Sequence, residues 1–203
     1  MGTFFSLDNM LFRFMGRLSD LIILNFLWII FSLPIFTIGA STKALYSVLF
    51  DLADNCEGHI TKDFFNNFKK EFRKSTLLWS IVFAFTLILS VNMVFWPRFQ
   101  FALGYIATIA TIFLLIIFLI VSPYIFPIIS KYNLNIKEIL KLSFILSMKY
   151  LHYSIIIILS GILLISINII FPLSILFTIF IGISLYCFLS CYIFNIVFKK
   201  YSL

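Results

Sequence analysis

Long apolar runs separated by short polar segments dominate the pattern of this chain. Five runs approach the roughly 20 residues that a helix needs to cross a bilayer. They lie near residues 21–40, 77–96, 103–129, 153–171 and 173–194. A strand with an open edge in lipid would leave backbone groups without hydrogen-bond partners, so each run is predicted to be a helix. The predicted fold class is all-α, a polytopic transmembrane helical bundle.

The number of spans depends on the moderately apolar stretch 39–50. With five spans, Arg17 lies on the opposite side of the membrane from the basic loops. If 39–50 returns as a short helix after a turn at 33–37, both termini are cytoplasmic. Of the 15 Lys and Arg residues, all but Lys43 and Arg98 then lie on the cytoplasmic side or at its interface. The positive-inside rule therefore favours six spans, with five as the alternative.

Two connecting segments predict amphipathic helices that lie flat in the headgroup region, as cytoplasmic elbows between spans. In the first, 61–74, an aromatic stripe is backed by charged and amide side chains. The stripe consists of Phe64, Phe65, Phe68 and Phe72. In the second, 135–148, Asn135 and Glu138 have the spacing of a capping box, ahead of an apolar stripe.

The two elbows suggest a weak internal repeat of span, elbow and span within a single membrane domain, 1–203. One copy would cover 40–96 and the other 101–171. The alternative is that any two basic connectors between spans look alike. Repeats of this kind are common in transporters, although they do not establish transport.

Composition agrees with a membrane protein, because 63% of the residues are hydrophobic, only 11% are charged and the mean hydropathy is +1.13. Soluble domains are nearer half apolar and a quarter charged. The net charge of +7 is spread over short segments between apolar runs, which is typical of topogenic lysines and not of a nucleic-acid surface. Cys187 and Cys191 share a helix face without further ligands nearby, so they are predicted to be packing residues and not a metal pair.

The richest polar cluster lies at the amino end and consists of Arg17, Asp20, Asn25 and Trp28. Arg17 and Asp20 are three residues apart on one helix, a spacing that suits an ion pair. Polar groups in a membrane helix tend to face the protein interior or a wet cavity. The cluster is therefore either the lining of a small cavity or a structural anchor, and the anchor is favoured. Lys43, in the second span, is expected to snorkel to the outer interface.

Catalysis requires titratable groups that converge on one site, and the acidic residues here are scattered mostly through connecting segments. The sequence has no His-x-x-x-His pair, no Gly-x-Ser-x-Gly and no phosphate-binding glycine loop. We therefore expect a protein that is not an enzyme and that carries no cofactor or metal.

The amino-terminal third resembles the YesL-like bacterial membrane proteins, a family without an assigned activity. The resemblance covers roughly residues 4–80, and the remainder is similar only in hydropathy. Its motifs are Gly16-Arg17, Asp20-Leu21, Leu24-Asn25, Leu27-Trp28, Leu33-Pro34, Thr37-Ile38-Gly39-Ala40, Ala44-Leu45-Tyr46 and Asp63-Phe64-Phe65 followed by Phe68-Lys69 and Phe72. Lys43 departs from the pattern, in which a small or hydroxyl-bearing residue is expected there.

The resemblance implies a location in the bacterial cell membrane. Because members of the family are often encoded beside carbohydrate uptake systems, it also implies an accessory role, with a carbohydrate ABC transporter as partner. The alternative is a small transporter or lipid-handling protein that uses a polar cavity near Arg17, Asp20 and Asn25.

Overall fold

The computed structural model describes residues 4–55, 58–99 and 101–201, and helices account for most of them. Eight helices follow one another along the described chain. They are α1 (Phe4–Ser32), α2 (Ile38–Ala53), α3 (Ile60–Lys69), α4 (Phe72–Phe95), α5 (Ala102–Lys131), α6 (Ile136–Lys149), α7 (Leu151–Ile170) and α8 (Ser174–Tyr201). All except α3 and α6 are long and apolar enough to cross a membrane. The predicted all-α class with six membrane helices is confirmed.

A tight turn divides the first apolar run into two helices. α1 ends at Ser32, and Pro34 precedes a single 3-10 turn at Ile35–Thr37, after which α2 begins. The Thr37 hydroxyl is 2.6 Å from the carbonyl oxygen of Phe31 and 2.7 Å from that of Pro34. It therefore satisfies a carbonyl at the end of α1 that has no partner within the helix. The five-span alternative treated this run as one helix, and the turn separates it into two.

α2 lies at the centre of the bundle, in contact with α1, α3, α4, α5 and α8. Of the residues in the α2 span, 67% are buried inside the protein, against 11% in the spans of α4 and α7. The outward faces of α4 and α7 carry large apolar side chains. A surface of that size and character is suited to lipid and not to water. The chain is therefore a multi-pass membrane protein.

The first amphipathic segment forms α3, which packs against α1 and α2. This helix is shorter than the predicted segment. It ends at Lys69, and Phe72 already belongs to the first turn of α4. Asp63 lies in the first turn of α3 and Lys69 in the last, so both charges complement the helix dipole.

The second amphipathic segment forms α6, and its predicted capping box is confirmed. The Glu138 carboxylate accepts a hydrogen bond from the backbone N–H of Asn135 at 2.8 Å, while the Asn135 side chain accepts one from the third helical residue. Ile139 and Leu146 on the apolar stripe are fully buried. α6 therefore packs its stripe into the protein, mainly against α5.

The last helix, α8, changes its winding along its length. It is α-helical over Ser174–Phe177, π-helical over Thr178–Gly182 and α-helical again over Ile183–Tyr201. A π turn contains one residue more than an α turn and leaves backbone groups out of register with the ladder. This wide turn faces α1.

The order of elements is the same in two parts of the chain. α2, α3 and α4 form one sequence of span, short helix and span, and α5, α6 and α7 form another. This order agrees with the proposed repeat of 40–96 and 101–171, whose origin by duplication stays a prediction.

Candidate functional site

The predicted polar cluster lies along α1, but its members have different surroundings. Arg17 is exposed, Asp20 and Trp28 are half-buried, and Asn25 is fully buried. The four side chains do not converge on one point. Each of the three with a described hydrogen bond contacts a different part of the chain.

The predicted ion pair between Arg17 and Asp20 is wrong. The Arg17 guanidinium donates to the side-chain oxygen of Asn55, in the segment that follows α2. Within the described part of the chain, the one ion pair shorter than 4.0 Å joins Lys74 to Glu71. Asn55 has a positive φ of 57°, which asparagine tolerates at the end of a helix better than most residues. The antiparallel arrangement of α1 and α2 brings this residue to Arg17.

Trp28 joins α1 to α2 near the turn between them. Its indole N–H donates to the hydroxyl of Thr42 at 3.1 Å, and its carbonyl oxygen accepts from the hydroxyl of Ser41 at 3.1 Å. Both bonds cross between the two helices of the hairpin. The role that this geometry gives to Trp28 is to hold the hairpin closed.

Asn25 bridges two backbone groups of the wide turn in α8. Its side-chain nitrogen donates to the carbonyl oxygen of Ile179 at 2.5 Å, and its side-chain oxygen accepts from the N–H of Ser184 at 2.9 Å. These two groups are five residues apart, which is the spacing of a π-helical hydrogen bond. The Ser184 hydroxyl completes the contact by donating to the carbonyl oxygen of Leu21 at 2.7 Å. The Asn25 amide therefore satisfies groups in α8 that the wide turn removes from its ladder.

The wide turn was not among the predicted site residues. It lies in an apolar run without a periodic polar face, so the sequence gives no sign of an extra residue per turn. Two hydroxyls near the start of α8, on Ser174 and Thr178, donate to the side-chain oxygen of Asn168 on α7 at 2.9 and 3.0 Å. These bonds attach the amino-terminal part of α8 to α7.

The predicted aromatic stripe packs around Phe31 of α1. The ring centroid of Phe31 is 5.8 Å from that of Phe64, 5.0 Å from that of Phe65 and 5.0 Å from that of Phe68. Phe64 is completely buried, whereas Phe65 is 36% exposed. Phe72, on α4, reaches Phe68 at 5.4 Å. The stripe is therefore an interhelical cluster that fixes α3 on the α1–α2 hairpin.

Lys43 does not snorkel to the outer interface as expected. It is only 3% exposed, and its ammonium group donates to the backbone oxygen of Asn67 at 3.3 Å and to the side-chain oxygen of the same residue at 3.5 Å. The expectation assumed that lipid surrounds Lys43. α3 runs back along α2, and the end of α3 lies beside Lys43. Lys43 is therefore enclosed by protein and not by lipid.

No group of three His, Cys, Asp or Glu side chains in the described ranges could hold a metal ion. Cys187 and Cys191 are buried free thiols on α8. Both belong to the apolar core, where thiols pack as small hydrophobic groups.

Comparison with known proteins places the chain in a family. Residues 21–93 match the family model described as "Protein of unknown function, DUF624". Over 148 residues the chain is 32% identical to "Uncharacterized protein YesL" of Bacillus subtilis (strain 168), covering 70% of this chain and 68% of that protein. The chain belongs to the YesL-like DUF624 family. The resemblance seen in the sequence motifs is thereby confirmed. No solved structure matches the chain.

The match to the DUF624 model begins at the start of the buried part of α1 and ends near the end of α4. It includes Asn25, Trp28 and Lys43 together with the aromatic stripe of α3. The family description assigns no activity to these residues.

Proposed function

We propose that the chain is a non-enzymatic accessory protein of the bacterial cell membrane that assists carbohydrate uptake, with both termini in the cytoplasm. The observation that supports this proposal best is the hydrogen bonding and burial of Asn25. Its side-chain nitrogen and oxygen are both bonded to the backbone of α8, and the side chain is fully buried. An amide used in this way holds two helices together and is not available to a passing solute.

The same observation weighs against a transport cavity near α1. A solute path would need polar groups that face an open space, whereas Trp28 and Asn25 direct their polar groups at neighbouring helices. The small transporter or lipid-handling protein is therefore the weaker alternative at this location.

A large lipid-facing surface supports a role in binding a partner inside the membrane. α4 and α7 are the least enclosed spans, and each carries a series of exposed leucine and isoleucine side chains. Two membrane proteins can associate through such faces by van der Waals packing, because no water has to be displaced. The partner that we propose is a membrane subunit of a carbohydrate ABC transporter.

Site-specific photocrosslinking in native membranes tests the proposal. A photoreactive residue replaces Leu87 on α4 or Leu159 on α7, which are 51% and 58% exposed. The control replaces Ile158, the half-buried neighbour of Leu159 on α7. We expect the two outward positions to crosslink a carbohydrate importer subunit and the control to do so much less.

Two results would contradict the proposal. One is a set of crosslinks from Leu87 and Leu159 that contains no importer subunit in cells that are growing on an imported sugar. The other is solute flux through the purified chain in proteoliposomes that is lost with Asn25→Leu while the protein remains folded. The second result would restore the transport alternative.

A further inference from the structure

Lys43 is the one charged residue among the buried side chains of the described chain. Its ammonium group has two described hydrogen bonds, both long and both to the uncharged Asn67. No carboxylate of the described residues lies within 4.0 Å of it. Burying an ammonium ion without an opposite charge is costly, and natural membrane proteins seldom retain such a group without a function.

A polar cavity of about 160 Å³ adjoins Lys43. Its walls come from α2, from the junction of α3 and α4, and from the end of α5 with the segment that follows it. One water molecule occupies about 30 Å³ in the liquid, so the cavity has room for a group of several heavy atoms.

The charges that line this cavity are mainly positive. Lys43, Lys70 and Lys131 contribute to the wall, and Glu71 is the one acidic side chain in it. The Glu71 carboxylate lies 3.5 Å from the ammonium group of Lys74, so it is already paired. The Lys131 ammonium donates to the side-chain oxygen of Asn195 at 2.5 Å, and Asn195 is not part of the wall. By formal charge the wall contains three cations and one anion, so it carries a positive excess.

Neutral hydrogen-bond donors complete the wall. Ser47 contributes a hydroxyl, and Asn67 and Asn133 contribute amides. The hydroxyl of Ser130, also in the wall, already donates to the carbonyl oxygen of Pro127 at 2.8 Å. Tyr132, in the segment after α5, adds a phenol to the wall, and burial raises its pKa above the ordinary value. Ammonium, hydroxyl and amide groups together can donate several hydrogen bonds to one multivalent acceptor.

We propose that this cavity binds the phosphate group of an anionic compound, with Lys43 as the buried counter-charge. A phosphate presents three or four acceptor oxygens in a tetrahedron and carries one to two negative charges, which matches the donors and the positive excess of the wall. The same phosphate chemistry occurs in an anionic lipid headgroup and in a free phosphate ester. The inference is independent of the proposed role in carbohydrate uptake.

Thermal unfolding of the purified full-length chain tests the site. In one series the chain is in detergent with glycerol phosphate, against sodium chloride of equal ionic strength. In the other it is in nanodiscs of phosphatidylglycerol or of phosphatidylcholine, without free phosphate. Binding at a tenfold excess over the dissociation constant should raise the Tm by roughly 3 °C. A rise in the first series identifies a free phosphate ester, and a rise in the second alone identifies a lipid headgroup.

Two variants and one control decide whether Lys43 is responsible. Lys43→Met removes the charge and keeps the length of the side chain. Asn67→Asp keeps Lys43 and places a carboxylate 3.5 Å from it, so the protein supplies its own counter-charge. Both variants should lose the rise in Tm, whereas Lys62→Met, at an exposed position near the other end of α3, should keep it.

The proposal is overturned if neither glycerol phosphate nor phosphatidylglycerol stabilises the parent chain. It is equally overturned if Asn67→Asp responds to either probe as strongly as the parent does. Should Lys43→Met fail to fold, the parent and Asn67→Asp still give the answer.

Discussion

Gly39, at the start of α2, lies directly against the backbone of Ser75 on α4. A Cβ atom at position 39 would be 2.5 Å from the carbonyl oxygen of Ser75 and 2.5 Å from the Cβ of Trp79. Real Cβ atoms do not approach other atoms so closely, so the two helices can meet here only because residue 39 has no side chain. The contact places the turn of the α1–α2 hairpin beside the first turns of α4, whereas the six-span topology predicts these two segments on opposite sides of the membrane.

We expect Gly39→Ala to lower the free energy of unfolding by about 1–3 kcal/mol, since α2 and α4 must move apart to admit the methyl group. Gly16→Ala is the matched control, because a Cβ at position 16 of α1 meets nothing within 4 Å. There alanine should raise stability by about 0.5–1 kcal/mol through its better helix propensity. Unfolding in mixed micelles measures both changes. Equal effects of the two substitutions would contradict the close contact.

Asn25→Leu should cost about 1–3 kcal/mol, because the carbonyl oxygen of Ile179 and the N–H of Ser184 lose their partner inside the bundle. Asn92→Leu is the control, since the Asn92 amide bonds only within α4 and its extension, to Ile88 and Trp96. That substitution should cost less than about 1 kcal/mol, in the range of an average hydrogen bond in a membrane protein. The same unfolding measurement applies, and a cost for Asn25→Leu no greater than the control would remove its structural role.

Phe64→Ala should destabilise the chain by about 3–5 kcal/mol, because it leaves a cavity between α3 and the hairpin. Phe65→Ala should cost clearly less, since Phe65 keeps 36% of its surface exposed. Loss of the cluster should also release α3, which limited trypsin digestion reports as new cleavage at Lys69 or Arg73. Identical protease patterns and stabilities for the two variants would argue that α3 is held by other contacts.

Cysteine labelling tests the orientation that the positive charges predict. A membrane-impermeant maleimide applied to intact cells should label Arg98→Cys, after α4, and should miss Lys149→Cys, at the end of α6, until the cells are permeabilised. Both side chains are exposed, so access across the membrane decides the result. The native cysteines, replaced by alanine, provide the unlabelled background. Labelling of Lys149→Cys in intact cells would invert the topology.

Hydropathy was enough to predict the spans because their apolar character covers whole segments and does not depend on single contacts. The predicted run 103–129 became α5 at Ala102–Lys131, and the predicted run 153–171 became α7 at Leu151–Ile170. The capping box of α6 was equally visible, since it depends on residues only three positions apart.

Contacts between distant parts of the chain could not be predicted in this way. Helical spacing made an Arg17–Asp20 pair reasonable, but the fold brings Asn55 to Arg17 instead. A lysine in lipid would snorkel, but the end of α3 covers Lys43 and gives it Asn67. The wide turn at Thr178–Gly182 depends on an amide from another helix, so nothing in its own neighbourhood marks it.

The bridge between Asn25 and α8 also constrains how the chain is assembled. α1 is synthesised first. The Ser184 N–H, which donates to the side-chain oxygen of Asn25, is synthesised 159 residues later. Until then Asn25 must remain hydrated, find a temporary partner or be shielded by the insertion machinery. A chain that stops after α7 would keep five spans and leave this amide without its native partners. The hydrogen bonding of α1 is therefore complete only after α8 has been inserted.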